Sequence, residues 1–583
     1  MWPPDPEYLD AHHSSSVFLL AAWHELFDPY TPDSFQPRLH NVASLIEELH
    51  DVSSRVAEGS IWWKHANRVR EELLRVAEEE KDILNLLPEY RWHLMRISKA
   101  QNAREIELTC RLLSHRRADY EAALLDSARR AVGGLPHKKG TAYRFLRRLA
   151  TLNVQALRED KDVLIVPEPV THTPEAILQS IIDRTLQNRQ AYDCVFAVAG
   201  SQSDIQRVLR VVGFDLVRED ALPEADVLAV RNAHHEVHFV QITVEARSTR
   251  DAVSKGRHNL SIGTGVFGLY SNSSVLQVAD HAFVKRQGDK RFETVRQSEQ
   301  AFRRLYPRSG ASHKTLETLD LASQNRLAGR MLSALQFHSL AIDSSEPRVK
   351  LINFWSALES LAGCCEAKSV IERVLDLVVP ILVWRRVDKI VRYTAIATQK
   401  LGDIQKSYSY GSGFVRSHET FVHPWDMMLT LCQPENHRDI LDLLRFCGRH
   451  PLLVYRVFRL WEELHDPKRL QRTLILSRNR IVWQLWRIYR ARNLLIHDGV
   501  EAPYLGTLLD NLHYYTSIVI QRIIHGMKLD PNWGIRESLA YWNAKSDFIL
   551  DSLSTSPEVL RVSDFFPFEA RSDAPRLWPK ASG

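Results

Sequence analysis

Apolar residues along this chain keep two different periods, and the switches between them mark its parts. From about Ser14 to Glu159 they recur every three or four residues, as in "RVREELLRVAEEEKDILNLL" (Arg68–Leu87), with charges of both signs on the opposite face, which predicts amphipathic helices. The acidic run Glu78–Glu80 reads there as a solvated face. Proline and glycine punctuate the pattern at "DPYTPDSFQP" and "GGLPHKKG". From "DVLIVPEP" onward the period shortens. "CVFAVAG", "DVLAVRN" and "EVHFVQITVEA" are short, β-branched runs bounded by turn residues, which predicts strands with helices between them. After a basic linker the helical period returns from about Lys314 to Met527, and the remainder, with its Pro and Ser, reads as irregular. The expectation is a mainly α chain: an N-terminal helical domain over residues 1–160, a small central α/β (α+β) domain over 161–290, a helical bundle over 314–530, and a C-terminal tail over 531–583.

Composition sharpens this only in part. The 583 residues, 44% of them hydrophobic, suffice for several cores. Seventy-six basic against 71 acidic residues leave +5, so any contact with nucleic acid is local and not a coat of charge. Six scattered cysteines are too few for a disulfide framework and read as reduced thiols. No apolar run approaches the ~18 residues of a spanning helix, and "MWPPDPEYLD" lacks a signal-peptide pattern. A cytoplasmic protein without a membrane partner is expected.

Several candidate motifs fail on context. "GTGVFG", Gly263–Gly268, spells G-x-G-x-x-G but follows a helix-cap pattern at Ser248 and Asp251, where a dinucleotide fingerprint would follow a strand. Cys432, His437, Cys447 and His450 lack the short paired spacing of structural zinc sites, and whether they bind metal stays open at this level. Cys364 and Cys365 have no cationic or histidine neighbour in sequence to activate a nucleophile.

One helix keeps its chemistry under the same scrutiny. Over Lys468–His497 the stripe Ile481, Leu485, Ile488 runs into Arg492, and the stripe Val482, Trp486, Tyr489 runs into Asn493 and His497. Asn493 and His497 stand four apart on one face, so the amide is placed to orient the imidazole. Gly499 and Pro503 close the helix and leave His497 in the last turn, at the negative end of the helix dipole, where a cationic ring is favoured. The R-x4-H spacing recurs at Arg308 with His313 and at Arg445 with His450, but there it falls in a loop or against a proline.

"RNLLIHDG", with "WRIYRARN" before it, resembles the R-N-x-x-x-H signature of the HEPN superfamily (higher eukaryotes and prokaryotes nucleotide-binding domains), in its Apea-like branch. A second block, Leu332–Leu361, resembles the paired first helices of those domains, including the "ALE" that ends in Glu359. The resemblance covers a little over a third of the chain. "GDIQKSYSYGSGFVRSHETFVHPWD" stands between the blocks as an insertion, and "VHFVQITVEARSTRDAVSKGRHNLS" is loosely similar to the β-rich segment before the bundle in Apea-like proteins.

The resemblance implies a metal-independent endoribonuclease of bacterial antiphage defence, of the abortive-infection toxin kind. It would cleave RNA such as tRNA by 2′-OH attack to give 2′,3′-cyclic phosphate ends, with no cofactor and no metal. His497 would move protons, Arg492 would stabilise charge on phosphorus, and Asn493 would hold the ring. Arg487 and Arg490, with the other arginines of the helix, would bind the RNA backbone. Glu359, set in the apolar "FWSALESL", would anchor the site without carrying protons. Arg492 and His497 point about 140° apart on one helix, so the resemblance implies a composite site in a homodimer or higher even oligomer, released by a phage-derived trigger. The alternatives are a noncatalytic HEPN module that binds RNA or a nucleotide, with Arg492 a structural charge paired to Glu359, and a structural interaction protein.

Overall fold

The computed structural model describes residues 11–27, 40–152, 173–185, 190–296, 328–408, 424–566 and 574–578. Within these spans positions 136, 220–221, 234–235, 247–248, 271–276, 290, 345, 368, 434–436, 449, 501, 503–504 and 531 are not described. The protein is mainly helical with one small antiparallel sheet in the middle of the chain, and it divides into two compact units.

The first unit comprises residues 1–152, 167–179 and 305–583, and the second 153–166 and 180–304. The N-terminal helices therefore belong to the same unit as the C-terminal bundle. They are α1 (Ala11–Phe27), α2 (Val42–Ala57), α3 (Trp63–Glu79), α4 (Lys81–Leu84), α5 (Pro88–Lys99), α6 (Ala103–Ser114), α7 (Arg117–Val132) and α8 (Lys139–Leu152). A ninth helix, α9 (Pro174–Thr185), spans the boundary in sequence.

The second unit is built on β1 (Gln190–Ala199), α10 (Gln202–Val212), β2 (Asp215–Leu216), α11 (Glu224–Ala233), β3 (Val237–Ala246), α12 (Thr249–Tyr270), β4 (Gln277–Arg286) and β5 (Glu293–Arg296). Strand order is β2-β3-β1-β4-β5 with every pair antiparallel. The central strand β1 is buried on both faces, because side chains alternate across it. Cys194, Phe196 and Val198 meet Ile205 and Leu209 of α10 and Ala252 and Leu260 of α12, while Val195 and Ala197 meet Val227 and Val230 of α11. Gly256 lets α12 come close: a Cβ there would sit 2.7 Å from the Phe196 ring.

Two expectations change in this unit. "DVLAVRN" is helix α11, not a strand: Val227 and Val230 bury one helical face, and Glu224 and Asp226 lie in the first turn, where carboxylates suit the dipole. The Gly263–Gly268 motif lies inside α12, so it makes no phosphate-cradling turn. "DVLIVPEP" lies outside the described residues.

The C-terminal part of the first unit comprises α13 (Ala328–Asp343), α14 (Pro347–Ala362), α15 (Val370–Tyr408), α16 (Pro424–Cys432), α17 (His437–Phe446), α18 (Pro451–Leu464), α19 (Pro467–Asp498), α20 (Leu505–Leu529), α21 (Ile535–Thr555) and α22 (Val562–Phe565). The proposed insertion after α15 lies mostly outside the described residues. α13 and α14 form a hairpin, and α14, α15, α19, α20 and α21 pack together as a bundle. The segment read as an irregular tail supplies one of these helices. The Glu537 side chain accepts from Gly534 N at 2.9 Å at the start of α21, Trp542 is fully buried with its Nε1 donating 2.8 Å to Arg522 O, and Gly526 of α20 allows close contact with Ser538.

Candidate active site

Helix α19 is fixed at both ends by its own sequence. The Asp466 side chain accepts from Lys468 N, Pro467 opens the first turn, and Gly499 closes the last with φ 66°. Over the stretch Trp483–Ile488 every side chain is buried, which leaves the helix wrapped on all sides. Its aromatic residues bind it to neighbours: His65 of α3 meets Trp486 edge-on at 5.0 Å between centroids, and Tyr489 meets Trp355 of α14 at 5.5 Å.

Arg487 and Arg490, in the middle of this helix, are not offered to a ligand. Arg487, 2% exposed, donates to Glu48 of α2 at 2.9 Å and to Glu72 of α3 at 2.6 Å, and Arg490 also pairs with Glu48. Burial raises the Glu48 carboxyl, but Arg487 and Arg490 outweigh it and hold it at about 2; for Glu72 burial prevails and the carboxyl is pushed up. Nearer the helix start, Arg480 pairs with Glu79 at 3.3 Å and Arg469 with Glu462 at 3.5 Å. The expectation that Arg487 and Arg490 bind substrate is therefore corrected: two carboxylates from the first hundred residues occupy them.

The last turn and a half differs. Arg492 is half-buried. Its Nη1 donates 3.0 Å to Asn493 Oδ1, and its Nη2 stands 3.8 Å from Glu359 Oε2, an ion pair longer than a hydrogen bond. Arg492 Nε is buried with no hydrogen-bond partner among the described residues. Glu359 is itself held by Trp355, whose Nε1 donates 2.6 Å to Oε1. Glu359 of the neighbouring helix is thus the carboxylate that faces Arg492. His497 is exposed, and among the described residues it makes no hydrogen bond, ion pair or ring contact. Asn493 engages Arg492, not the imidazole, which corrects the orienting role given to it. The next residue, Asp498, meets Arg55 at the end of α2 at 3.5 Å.

Sequence reasoning missed Glu48, Glu72 and Arg55. The first two were detectable: Glu48 falls within the buried set Leu45, Leu49, Val52 of α2, and Glu72 between Val69 and Leu73 of α3, so each interrupts an apolar stripe as the arginines of α19 do. The acidic run Glu78–Glu80 is also not a uniformly solvated face. Glu80 is 2% exposed, accepts from Tyr120 Oη at 2.6 Å, and is pushed up to about 7 by burial against the opposing pull of Arg148.

Of the cysteine and histidine set, Cys432 and Cys447 are fully buried thiols raised by burial, and the side chain of His437 lies outside the described ones. Among the described residues no three His, Cys, Asp or Glu side chains converge as a metal-holding group, and no helix is long and apolar enough to cross a membrane. Compared with known protein families, curated proteins and solved structures, the chain matches none.

Proposed function

We propose that this protein is a metal-independent endoribonuclease whose site is the C-terminal turn of α19. The observation that carries this reading is the presence, on one glycine-capped helix end, of an exposed imidazole, His497, and a guanidinium, Arg492, that faces Glu359, which Trp355 in turn holds. In the reaction the ribose 2′-oxygen forms a bond to phosphorus and the bond from phosphorus to O5′ breaks. A proton leaves the 2′-OH and a proton reaches the departing O5′, giving a 2′,3′-cyclic phosphate and a 5′-OH. An imidazole is suited to either transfer, and a guanidinium donates to the phosphoryl oxygens as their charge grows.

Five residues on one helix turn through about 140°, so one chain does not readily aim both groups at one phosphate. A second copy related by a two-fold axis completes the set, which makes the working form a homodimer. The resemblance to Apea-like HEPN proteins supports placing the enzyme in bacterial antiphage defence, with RNA such as tRNA as substrate and the remaining elements restraining it until infection. A noncatalytic RNA-binding bundle is the second reading, favoured by the same Arg492–Glu359 pair if its role is only structural.

The test is to incubate total RNA with the full-length protein in excess EDTA and to sequence the ends. Cyclic-phosphate 3′ ends that persist in EDTA are expected. Products with 5′-phosphate ends that appear only with added magnesium point to another nuclease class, and absence of cleavage to the binding module.

A further inference from the structure

Helices α5 and α6 form a hairpin joined by Ala100–Asn102, and only their inner faces are accounted for by packing. Tyr90, Leu94 and Ile97 of α5 and Ile106, Cys110 and Leu113 of α6 are buried. The opposite sides carry large apolar side chains in the open: Trp92 is 51% exposed, Met95 49%, Leu108 60% and Leu112 53%. Four such residues on two short neighbouring helices are more than the scattered apolar exposure of an ordinary surface.

Cations are interleaved with them. Arg91, Arg96, Lys99, Arg104 and Arg111 are all exposed, and among the described residues none enters an ion pair. This is not how arginines behave next door, where Arg116 pairs with Glu89 and Asp119, and Arg117 with Glu47 and Glu121. The Arg96 guanidinium lies 5.1 Å from the Trp92 ring centroid, which steadies both groups in the open.

We propose that the outer face of the α5–α6 hairpin is a docking surface for single-stranded RNA, separate from the α19 turn. Its chemistry suits a polyanion that also has flat apolar faces: a base stacks on Trp92, and successive phosphates meet the unpaired cations. A lipid surface calls for a continuous apolar stripe with charge at its margins, whereas here the Arg96 guanidinium lies over the Trp92 ring itself. The choice of RNA among polyanions rests on the ribonuclease reading.

The experiment measures fluorescence anisotropy of an end-labelled oligouridylate of about 12 nucleotides with full-length protein carrying His497→Ala, so that the probe stays intact. Adding Trp92→Ala should weaken binding about tenfold, with Trp92→Phe restoring most of it. The combination Arg96→Ala, Arg104→Ala, Arg111→Ala should weaken it further and lower the slope of log affinity against log salt by about 2. Circular dichroism should be unchanged in every variant, since all these side chains are exposed. Unaltered RNA affinity in the hairpin variants overturns the proposal, and loss of binding to phosphatidylserine vesicles instead assigns the face to a membrane. Cleavage by the wild-type protein together with unaltered RNA affinity in the hairpin variants leaves the ribonuclease reading standing alone. Hairpin-dependent RNA binding by a protein that never cuts leaves the docking surface standing alone.

Discussion

The middle and the end of α19 carry the same residue type to opposite purposes. At Arg487 and Arg490 the helix is enclosed and each guanidinium is matched by Glu48 or Glu72; at Arg492 the partner is a single, more distant Glu359, and at His497 there is none among the described residues. An arginine surrounded by the protein's own carboxylates is structure. Under the proposed reading, an arginine and a histidine short of partners at a helix end are the groups a substrate would meet.

The contrast is broken most severely at the helix end. His497→Ala and Arg492→Ala should each lower the rate of RNA cleavage by about 100-fold or more, while the urea midpoint of the exposed-site variant His497→Ala stays at the wild-type value. A His497→Ala protein that cuts at the wild-type rate would sink the assignment.

The enclosed half should show the reverse signature. Glu48→Gln leaves two buried arginines short of an anion and should cost on the order of 3–5 kcal/mol in unfolding free energy. Glu72→Gln should cost less, because burial already favours the protonated carboxyl that an amide resembles. Equal losses in the two variants would remove the distinction drawn between these carboxylates.

Acid tests the same interior. Burial lowers His40 and His513 to about 3 and His65 and His338 to about 4. Their folded pKa values lie below the unfolded value, so their contribution is complete above pH 6.5 and is lost as pH falls, towards 4 for His65 and His338 and towards 3 for His40 and His513. Each contributes up to about 1.4 kcal/mol per pH unit. Glu80 and Glu72 act oppositely, since their raised carboxyls give stability that is present at low pH and lost as pH rises, for Glu80 through about 7. Four histidines against two carboxyls predict a net fall in the urea midpoint between pH 6.5 and 4.5. A midpoint that rises on acidification over this window contradicts that balance.

The smallest effect belongs to Gly499. Nothing lies within 4 Å of where a Cβ would be, so Gly499→Ala should cost only the left-handed backbone term, about 1 kcal/mol, by urea unfolding. A much larger loss would mean that the turn is crowded in solution.

Much of α19 was legible in sequence. Its apolar stripes, with Gly499 and Pro503 beyond them, placed the helix to within a residue at each end, because periodicity and breakers act locally. What stayed hidden depends on distant partners. Nothing near Arg487 announces that Glu48 neutralises it, 439 residues away in sequence. Helix α21 was missed for a different reason: Ser538, Ser546 and Ser552 occupy buried positions between Leu539, Trp542 and Ile549, so small polar residues diluted a real apolar stripe. "DVLAVRN" misled because a short β-branched run has no decisive period, and its two valines bury equally well on a helix.

The distance in sequence between Glu48 and Arg487 also fixes an order of events during synthesis. At about 5–20 residues per second, the carboxylates on α2 and α3 leave the ribosome on the order of 20–90 s before their arginines do. Until then Glu48 and Glu72 face water, and the early helices lack the element that closes their core. The helix that supplies these arginines also carries His497, so a chain whose synthesis stops before α19 has neither the partners of the two carboxylates nor that histidine.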